Sequence, residues 1–350
     1  MEIVKLNFNG PLHLALGRAD YSESQPGLRS DTLKAALFSA ARLLFEEEVL
    51  MGQTDENCPF LDAFTVSSAF PFFGKEFFFP IPKTGLPNND PDLRKALKNI
   101  RYVGRSVFEK LIHNETFLPK KEHLWQKNVF FTEADLWPVP GHTPTNLERQ
   151  EFRLTHSMVY QHVMVPRDSG DDGDTFYMER IFFPPGSGLY FFIQFDVQQF
   201  PDIRNAVAAA LRLLGDEGLG SDRSTGNGSF RFEGFEDLAL RLPSDQDATG
   251  QLNLSLYCPA TAEFSDNLVL NSAYSLIRRG GYVASPVDFS NASLRKQPLY
   301  FFEEGSLFPA NAGRLHGKLV NVRPGKMDGH HPVWRDGRSI FLPVKTAVNV

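Results

Sequence analysis

Apolar and polar residues alternate at period two over Glu2 to Asn9, where Val4, Leu6 and Phe8 share one face, which predicts an amino-terminal strand. An irregular stretch from Gly17 to Ser30 follows, and the period then lengthens. Leu33, Ala36, Leu37, Ala40, Leu43 and Leu44 form one stripe of a helix, with Ser30 as its expected cap. Ala63 to Pro82 carries Val66, Phe70, Phe72, Phe73 and Phe77 to Phe79, interrupted by Pro71, Gly74 and Pro80, and predicts two short strands about a turn. From Thr84 to about Ser187 prolines, charges and isolated aromatics follow no period. That region predicts a long insertion with one helix (Pro91 to His113) and a protruding hairpin. Order resumes with a strand over Leu189 to Val197. A helix opened by Pro201 follows, with Ile203, Val207, Leu211 and Leu214 as its buried stripe and Gly215 as its end. A glycine-rich segment from Gly215 to Gly228 then leads into a strand over Ser229 to Phe235.

This order is βαββαβ, the ferredoxin-like or RRM-like arrangement of an α+β fold. A second block starts near Gln251, where Leu252, Leu254 and Leu256 alternate. Pro298 to Phe302, His316 to Val322 and Ser339 to Val344 are further strand candidates, so the block reads as smaller and mostly β.

The 350 residues hold 36 basic and 42 acidic side chains, a net charge of −6, which argues against coating nucleic acid through bulk charge. The distribution qualifies this: residues 1–60 hold 5 basic and 9 acidic groups, residues 291–350 hold 9 and 4. The mean therefore hides a polarised chain, and a local basic surface is not excluded. Two cysteines, Cys58 and Cys258, exclude a disulfide framework. With no leader pattern at the start and no apolar run near 20 residues, the expectation is a cytoplasmic protein without a membrane partner.

The glycine-rich segment fails the nucleotide-binding patterns. Gly218 and Gly220 match the first two positions of G-x-G-x-x-G, but Arg223 occupies the third, and Ser221 stands where a P-loop needs Lys. Its polarity is also wrong, since it runs from a helix end into a strand rather than into a helix N-terminus. What it offers is backbone N–H groups beside Ser221, Arg223, Ser224 and Thr225, a set suited to a nucleic-acid backbone.

The segment Gly215 to Phe230 resembles the glycine-rich signature of the RAMP proteins of CRISPR systems. Further stretches narrow the resemblance to the family of the fourth subunit of the type III-A Csm effector complex, which caps the crRNA 5′ handle. They are Ser30 to Ala41, Val66 to Lys83, Ser275 to Val283, Glu304 to Leu307 and His331 to Pro343, in the family's order along the whole chain. The resemblance implies two ferredoxin-like domains, 1–240 with an insertion at about 84–187 and a degenerate second one over 241–350, with a thumb-like hairpin in the first. It implies no catalysis and no cofactor. The partners it implies are the crRNA 5′ handle, the large signalling subunit, a backbone RAMP subunit and, indirectly, target RNA. Carried over by position, the RNA-binding residues would be Gly218, Gly220, Ser221, Arg223, Ser224, Gly226 and Gly228 of the loop; Arg29 and Lys34 are further candidates, and Arg278 and Arg279, before Gly280-Gly281, suit either a phosphate or 5′-terminal nucleotide or a surface salt-bridge pair. Met164 and Arg167 would join them from the hairpin. The chain departs from the family pattern at Ser221-Asp222, where a second Gly and a basic residue are more usual.

Other constellations carry less. Arg94, Lys98, Arg101 and Arg105 would form a basic stripe on the predicted helix, either a solvated face or a contact with RNA or a neighbouring subunit. Asp168, Asp171, Asp172, Asp174 and Glu179 invite a calcium-loop reading, but Gly170 takes a ligand position and the flanks are strand-like, which favours a hairpin with an acidic tip. His142, His156, His162, His316, His330 and His331 lack metal-ligand spacing. Because a histidine, His13 included, could assist attack by a 2′-hydroxyl, a RAMP endoribonuclease that processes precursor crRNA is the alternative function.

Overall fold

The computed structural model describes the chain except for residues 16–20, 26, 52–57, 88–89, 126–129, 132–144, 165–173, 199, 284–293, 328–330 and 346–350. It is an α+β fold built on one large sheet. The chain enters through β1 (Glu2–Phe8), crosses one face as α1 (Ser30–Leu44), and returns as β2 (Phe64–Val66), β3 (Phe70–Phe73) and β4 (Glu76–Pro80). Next come β5 (Tyr102–Gly104), α2 (Arg105–Ile112) and a two-stranded ribbon of β6 (His156–Met164) and β7 (Asp174–Phe182). The sheet is completed by β8 (Ser187–Phe195), α3 (Ile203–Glu217), β9 (Phe230–Arg231) and β10 (Phe235–Asp237).

The path through the sheet is β9-β1-β8-β3-β4-β5, antiparallel at each step, with β2 also on β8 and β10 also on β1. Each strand–helix–strand crossing therefore skips one strand, and α1 and α3 pack together on one side. The register Val4↔Phe191 and Leu6↔Leu189 sends those four residues towards the helices, whereas Ile3, Tyr190 and Phe192 meet Phe70, Phe77 and Phe79 on the other face. Both faces of β8 are covered, so its sequence is a continuous apolar run rather than an alternation.

The carboxyl-terminal strands are β11 (Gly250–Asn253), β12 (Leu276–Arg279), β13 (Leu299–Phe302), β14 (Leu307–Pro309), β15 (Leu319–Asn321), β16 (Trp334–Asp336) and β17 (Phe341–Val344). They form three small antiparallel sheets: β14-β11-β17, β12-β13 and β15-β16. Leu252, Leu254, Leu307, Leu342 and Val344 pack into the same core as Ile3, Phe79 and Phe192, so apolar contact is continuous between the two parts.

Several expectations need correction. The helix expected over Pro91 to His113 is a four-residue turn at Arg94–Leu97, then β5, then α2. Tyr102 to Gly104 complete the ladder beside Phe78 to Pro80, and this sheet pairing overrides the helical spacing of the apolar residues. The basic stripe is thereby dissolved: Lys98 closes the short helix, Arg101 lies between elements and Arg105 opens α2. Ser30 is the first residue of α1 rather than its cap, and its hydroxyl accepts from the Leu256 N–H. Helix α3 runs two residues past Gly215 and stops at Gly218. Gly215 is needed inside it, because a Cβ there would lie 2.4 Å from the Phe230 carbonyl oxygen. The strand expected over Ser229 to Phe235 is divided into β9 and β10.

Candidate nucleic-acid interface

The glycine-rich loop follows α3 and is folded against its own protein. Gly218, Gly220, Gly226 and Gly228 all have positive φ, between +73° and +89°. At three of them side chains are also excluded by contact: a Cβ on Gly228 would fall 1.8 Å from the Leu219 carbonyl oxygen, one on Gly220 would fall 2.1 Å from that of His13, and one on Gly218 would fall 2.3 Å from that of Asn227. Many of the loop's N–H groups are used internally. Ser221 donates to His13, Gly228 to Pro11, and Leu219 to Gly228.

At the tip the arrangement changes. Asp222 is one of two non-glycine residues with positive φ among the described residues (φ 57°, ψ 38°), and Arg223 to Thr225 follow as a single 3-10 turn. A left-handed residue followed by right-handed ones turns successive N–H groups towards one concavity, a geometry that accepts an anion. The N–H groups of Asp222, Arg223 and Ser224 find no backbone or side-chain acceptor among the described residues. The Arg223 side chain is exposed beside this concavity, 3.5 Å from Glu217.

The departure at Asp222 is resolved by its contacts. Its carboxylate accepts from Arg180 Nη2 at 3.2 Å, Thr225 Oγ1 at 2.7 Å and Asn227 Nδ2 at 3.3 Å, so it ties the loop down. Arg180 belongs to β7 and also lies over the Tyr160 ring, which couples the ribbon to the loop. Sequence reasoning missed Arg180 and Asn227. The only signal was the acidic residue at a place where a base is usual.

The ribbon pairs nine residues, His156↔Phe182 through Met164↔Asp174. Its foot is pinned to the segment that carries His13: Leu12 pairs with Ile181, Glu179 N–H donates to the Tyr21 carbonyl, and the Glu179 carboxylate accepts from Ser24 N–H. Met158, Val159, Val163, Met164 and Tyr177 are exposed along it, an unusual apolar display for a two-stranded ribbon. Arg167, with Asp168, Asp171 and Asp172, lies outside the described residues, as do His142 and His330. Glu179 is committed to Ser24 rather than to a calcium loop.

The remaining expected contacts divide. Arg278 is exposed on β12, opposite Tyr300. Arg279, by contrast, is an internal tie: its Nε and Nη2 each lie 3.0 Å from the Asp31 carboxylate, and Nη2 also reaches Thr32 at 2.8 Å. Lys34 is fully buried and bonds Asp336 at 3.2 Å and the Phe64 carbonyl, so it lies between α1 and β16 rather than at a surface. Burial lowers its ammonium to about 7 in spite of Asp336. Burial would raise Asp336, but Arg338 and Lys34 more than offset this and hold it at about 2. Arg29 is half-buried and ion-paired to both Glu303 and Glu304. These residues are basic because they bridge the two parts of the chain, which a sequence motif cannot distinguish from a phosphate contact.

Comparison with known proteins follows the same lines. Residues 246–344 match the family model described as the CRISPR Csm4 C-terminal domain. Over those residues the chain is similar to Csm4 proteins. A Csm4 of Thermococcus onnurineus is 24% identical over 82% of this chain and 83% of its own length, and a Csm4 of Methanocaldococcus jannaschii is 21% identical over 98% and 97%. Among solved structures, the fold is similar to one in a Csm3-Csm4 subcomplex of a type III-A interference complex, with TM-score 0.67, 18% identity and coverage of 99% and 100%. It is also similar to one in a Csm1-Csm4 cassette bound to cA4, with TM-score 0.56, 19% identity and coverage of 98% and 97%. Among the described residues no helix is long and apolar enough to cross a membrane.

Proposed function

We propose that this chain is a Csm4-like, non-catalytic subunit of a type III-A effector complex working in the cytoplasm. In this reading it holds the crRNA 5′ handle and joins the large subunit to the first backbone RAMP subunit. Residues 1–240 and 241–350 act as two domains locked by the Arg29, Lys34 and Arg279 ties. The partners named for the similar structures, Csm1 and Csm3, are the natural candidates. The observation that carries RNA binding is the tip of the loop, where three N–H groups without an acceptor among the described residues lie beside the exposed Arg223. Phosphate contacts of this kind fix register without reading bases. Ser221, Ser224, Arg278 and the exposed Met164 extend the surface that a single strand would follow. His13 does not favour nuclease action: it is fully buried, and its Nδ1 is bonded to the Glu179 carbonyl.

The test is the crRNA content of the reconstituted complex. Arg223→Glu reverses charge at an exposed site, so the fold should survive while retained crRNA falls severalfold. Unchanged crRNA content contradicts the assignment. Site-specific cutting of a repeat RNA by the purified chain, abolished by a histidine substitution, would replace it with the endoribonuclease reading.

A further inference from the structure

The antiparallel pair β12 and β13 has two unlike faces. Inward, Phe301 packs with Leu256 and Cys258, and Arg279 bonds Asp31. Outward, the register sets Arg278 directly opposite Tyr300, with Leu276 two residues along. These three are exposed, Tyr300 by 63% and Leu276 by 54%. Two of them are unengaged: neither the Arg278 guanidinium nor the ring and hydroxyl of Tyr300 has a hydrogen-bond, ion-pair or ring partner among the described residues.

Charge on this ribbon has one sign. Residues 273–283 and 294–302 hold Arg278, Arg279, Arg295 and Lys296 and no acidic residue. The carboxylates packed around it are turned elsewhere: Asp31 to Arg279 and Arg335, Glu303 to Arg29 and Lys83, and Glu304 to Arg29. Past Arg279 the main chain is bare, since Gly280 and Gly281 are exposed and a Cβ on either would meet nothing within 4 Å. A phosphate can therefore approach the backbone closely there. The ribbon also lies near the glycine-rich loop. Arg279 Nη1 donates to Gln25 Oε1 at 3.3 Å, Gln25 N–H donates to the Leu14 carbonyl, and the neighbouring His13 carbonyl accepts from Ser221 N–H.

A protein covering this face would have to bring a carboxylate for Arg278, because a buried unpaired guanidinium is costly. Single-stranded RNA supplies both missing partners within one nucleotide, a base for the ring and a phosphate for the guanidinium. We propose that the outer face of β12 and β13 binds single-stranded RNA, with one base stacked on Tyr300 and the adjacent phosphate held by Arg278. The inference rests on the RNA-binding reading of the chain and adds to it a base-stacking subsite outside the glycine-rich loop.

The experiment uses the full complex reconstituted on handle RNA carrying iodouridine at successive positions, a nucleotide that crosslinks on irradiation to an aromatic ring stacked on its base. A parallel set carries thiouridine, which crosslinks to adjacent side chains generally and reports the loop. An iodouridine crosslink to Tyr300 from adjacent handle positions is expected, and it should persist to the ring in Tyr300→Phe. The crRNA retained at raised salt should fall about tenfold in Tyr300→Leu and severalfold in Arg278→Gln, and stay near native in Tyr300→Phe. Unfolding midpoints check that each variant is folded. Crosslinks on the loop with none on Tyr300 at any position, or native retention by Tyr300→Leu, overturn the proposal and leave the loop reading standing. Crosslinks on neither overturn both. Loss of a co-purifying subunit from Tyr300→Leu at unchanged crRNA content makes this face a protein interface and overturns the proposal as well.

Discussion

Asp336→Asn removes the carboxylate at the centre of the tie between α1 and the carboxyl-terminal strands. Asp336 is buried with Lys34 at 3.2 Å and takes two bonds from Arg338, Nε to Oδ1 at 2.9 Å and Nη2 to Oδ2 at 2.8 Å. Its shift from 3.8 to about 2 corresponds to about 2 kcal/mol of favourable linkage. The substitution should cost more than that, about 3–5 kcal/mol, because it leaves Lys34 without its carboxylate and Arg338 with only Asp62. Folded Asp336 binds its proton more weakly than unfolded Asp336. Its contribution is therefore complete above the unfolded value near 4 and is lost as pH falls from there towards 2. Urea unfolding of native and variant protein at pH 7 and at stepped acid pH measures both effects. The variant should show the large loss at pH 7, and the gap should narrow through the acid range. A loss below about 1 kcal/mol at pH 7, or a gap independent of pH, refutes the reasoning.

Three further outcomes follow from the site. Gly228→Ala places a methyl against the Leu219 carbonyl at positive φ and should destabilise by more than about 2 kcal/mol, whereas Gly226→Ala, also at positive φ but facing open space, should cost about 1 kcal/mol; thermal unfolding compares them. Arg180→Ala removes the charged one of three donors to the Asp222 carboxylate and unties the loop from the ribbon, so amide exchange at residues 222–227 should quicken and crRNA retention should fall, while the charge exchange Arg180→Asp with Asp222→Arg should restore part of both. Val159→Asp with Val163→Asp on the exposed ribbon should leave the unfolding midpoint within about 0.5 kcal/mol of native but reduce co-purification of partner subunits, measured by native mass.

The central frame was legible because its signals are local. Val4, Leu6 and Phe8 at period two, and the Leu33 to Ala40 stripe, announce β1 and α1 whatever lies around them. The glycine-rich loop was legible for a related reason, since Gly218, Gly220 and Gly228 occupy backbone conformations and close approaches that other residues cannot. Residues 91–113 were misread because Ile100, Val103 and Val107 are buried at helix-like spacing while Tyr102 to Gly104 are recruited by a strand edge far off in sequence. The basic residues were the least legible. Arg29, Lys34 and Arg279 find Glu303, Glu304, Asp336 and Asp31 only once the carboxyl-terminal part has folded back over α1, and across sequence separations of 248 to 302 no motif marks such a pair. Asp222 illustrates the reverse: an acid at a place where a basic residue is more usual is paired with Arg180 of the ribbon.

Handle RNA carrying a photoreactive nucleotide at successive positions, assembled with the full complex and crosslinked, reports directly which peptide lies against it. The account predicts crosslinks to the tryptic peptides that contain Ser221 to Ser224, lost in Arg223→Glu. Crosslinks confined to other subunits, with none on this loop at any handle position, would contradict it.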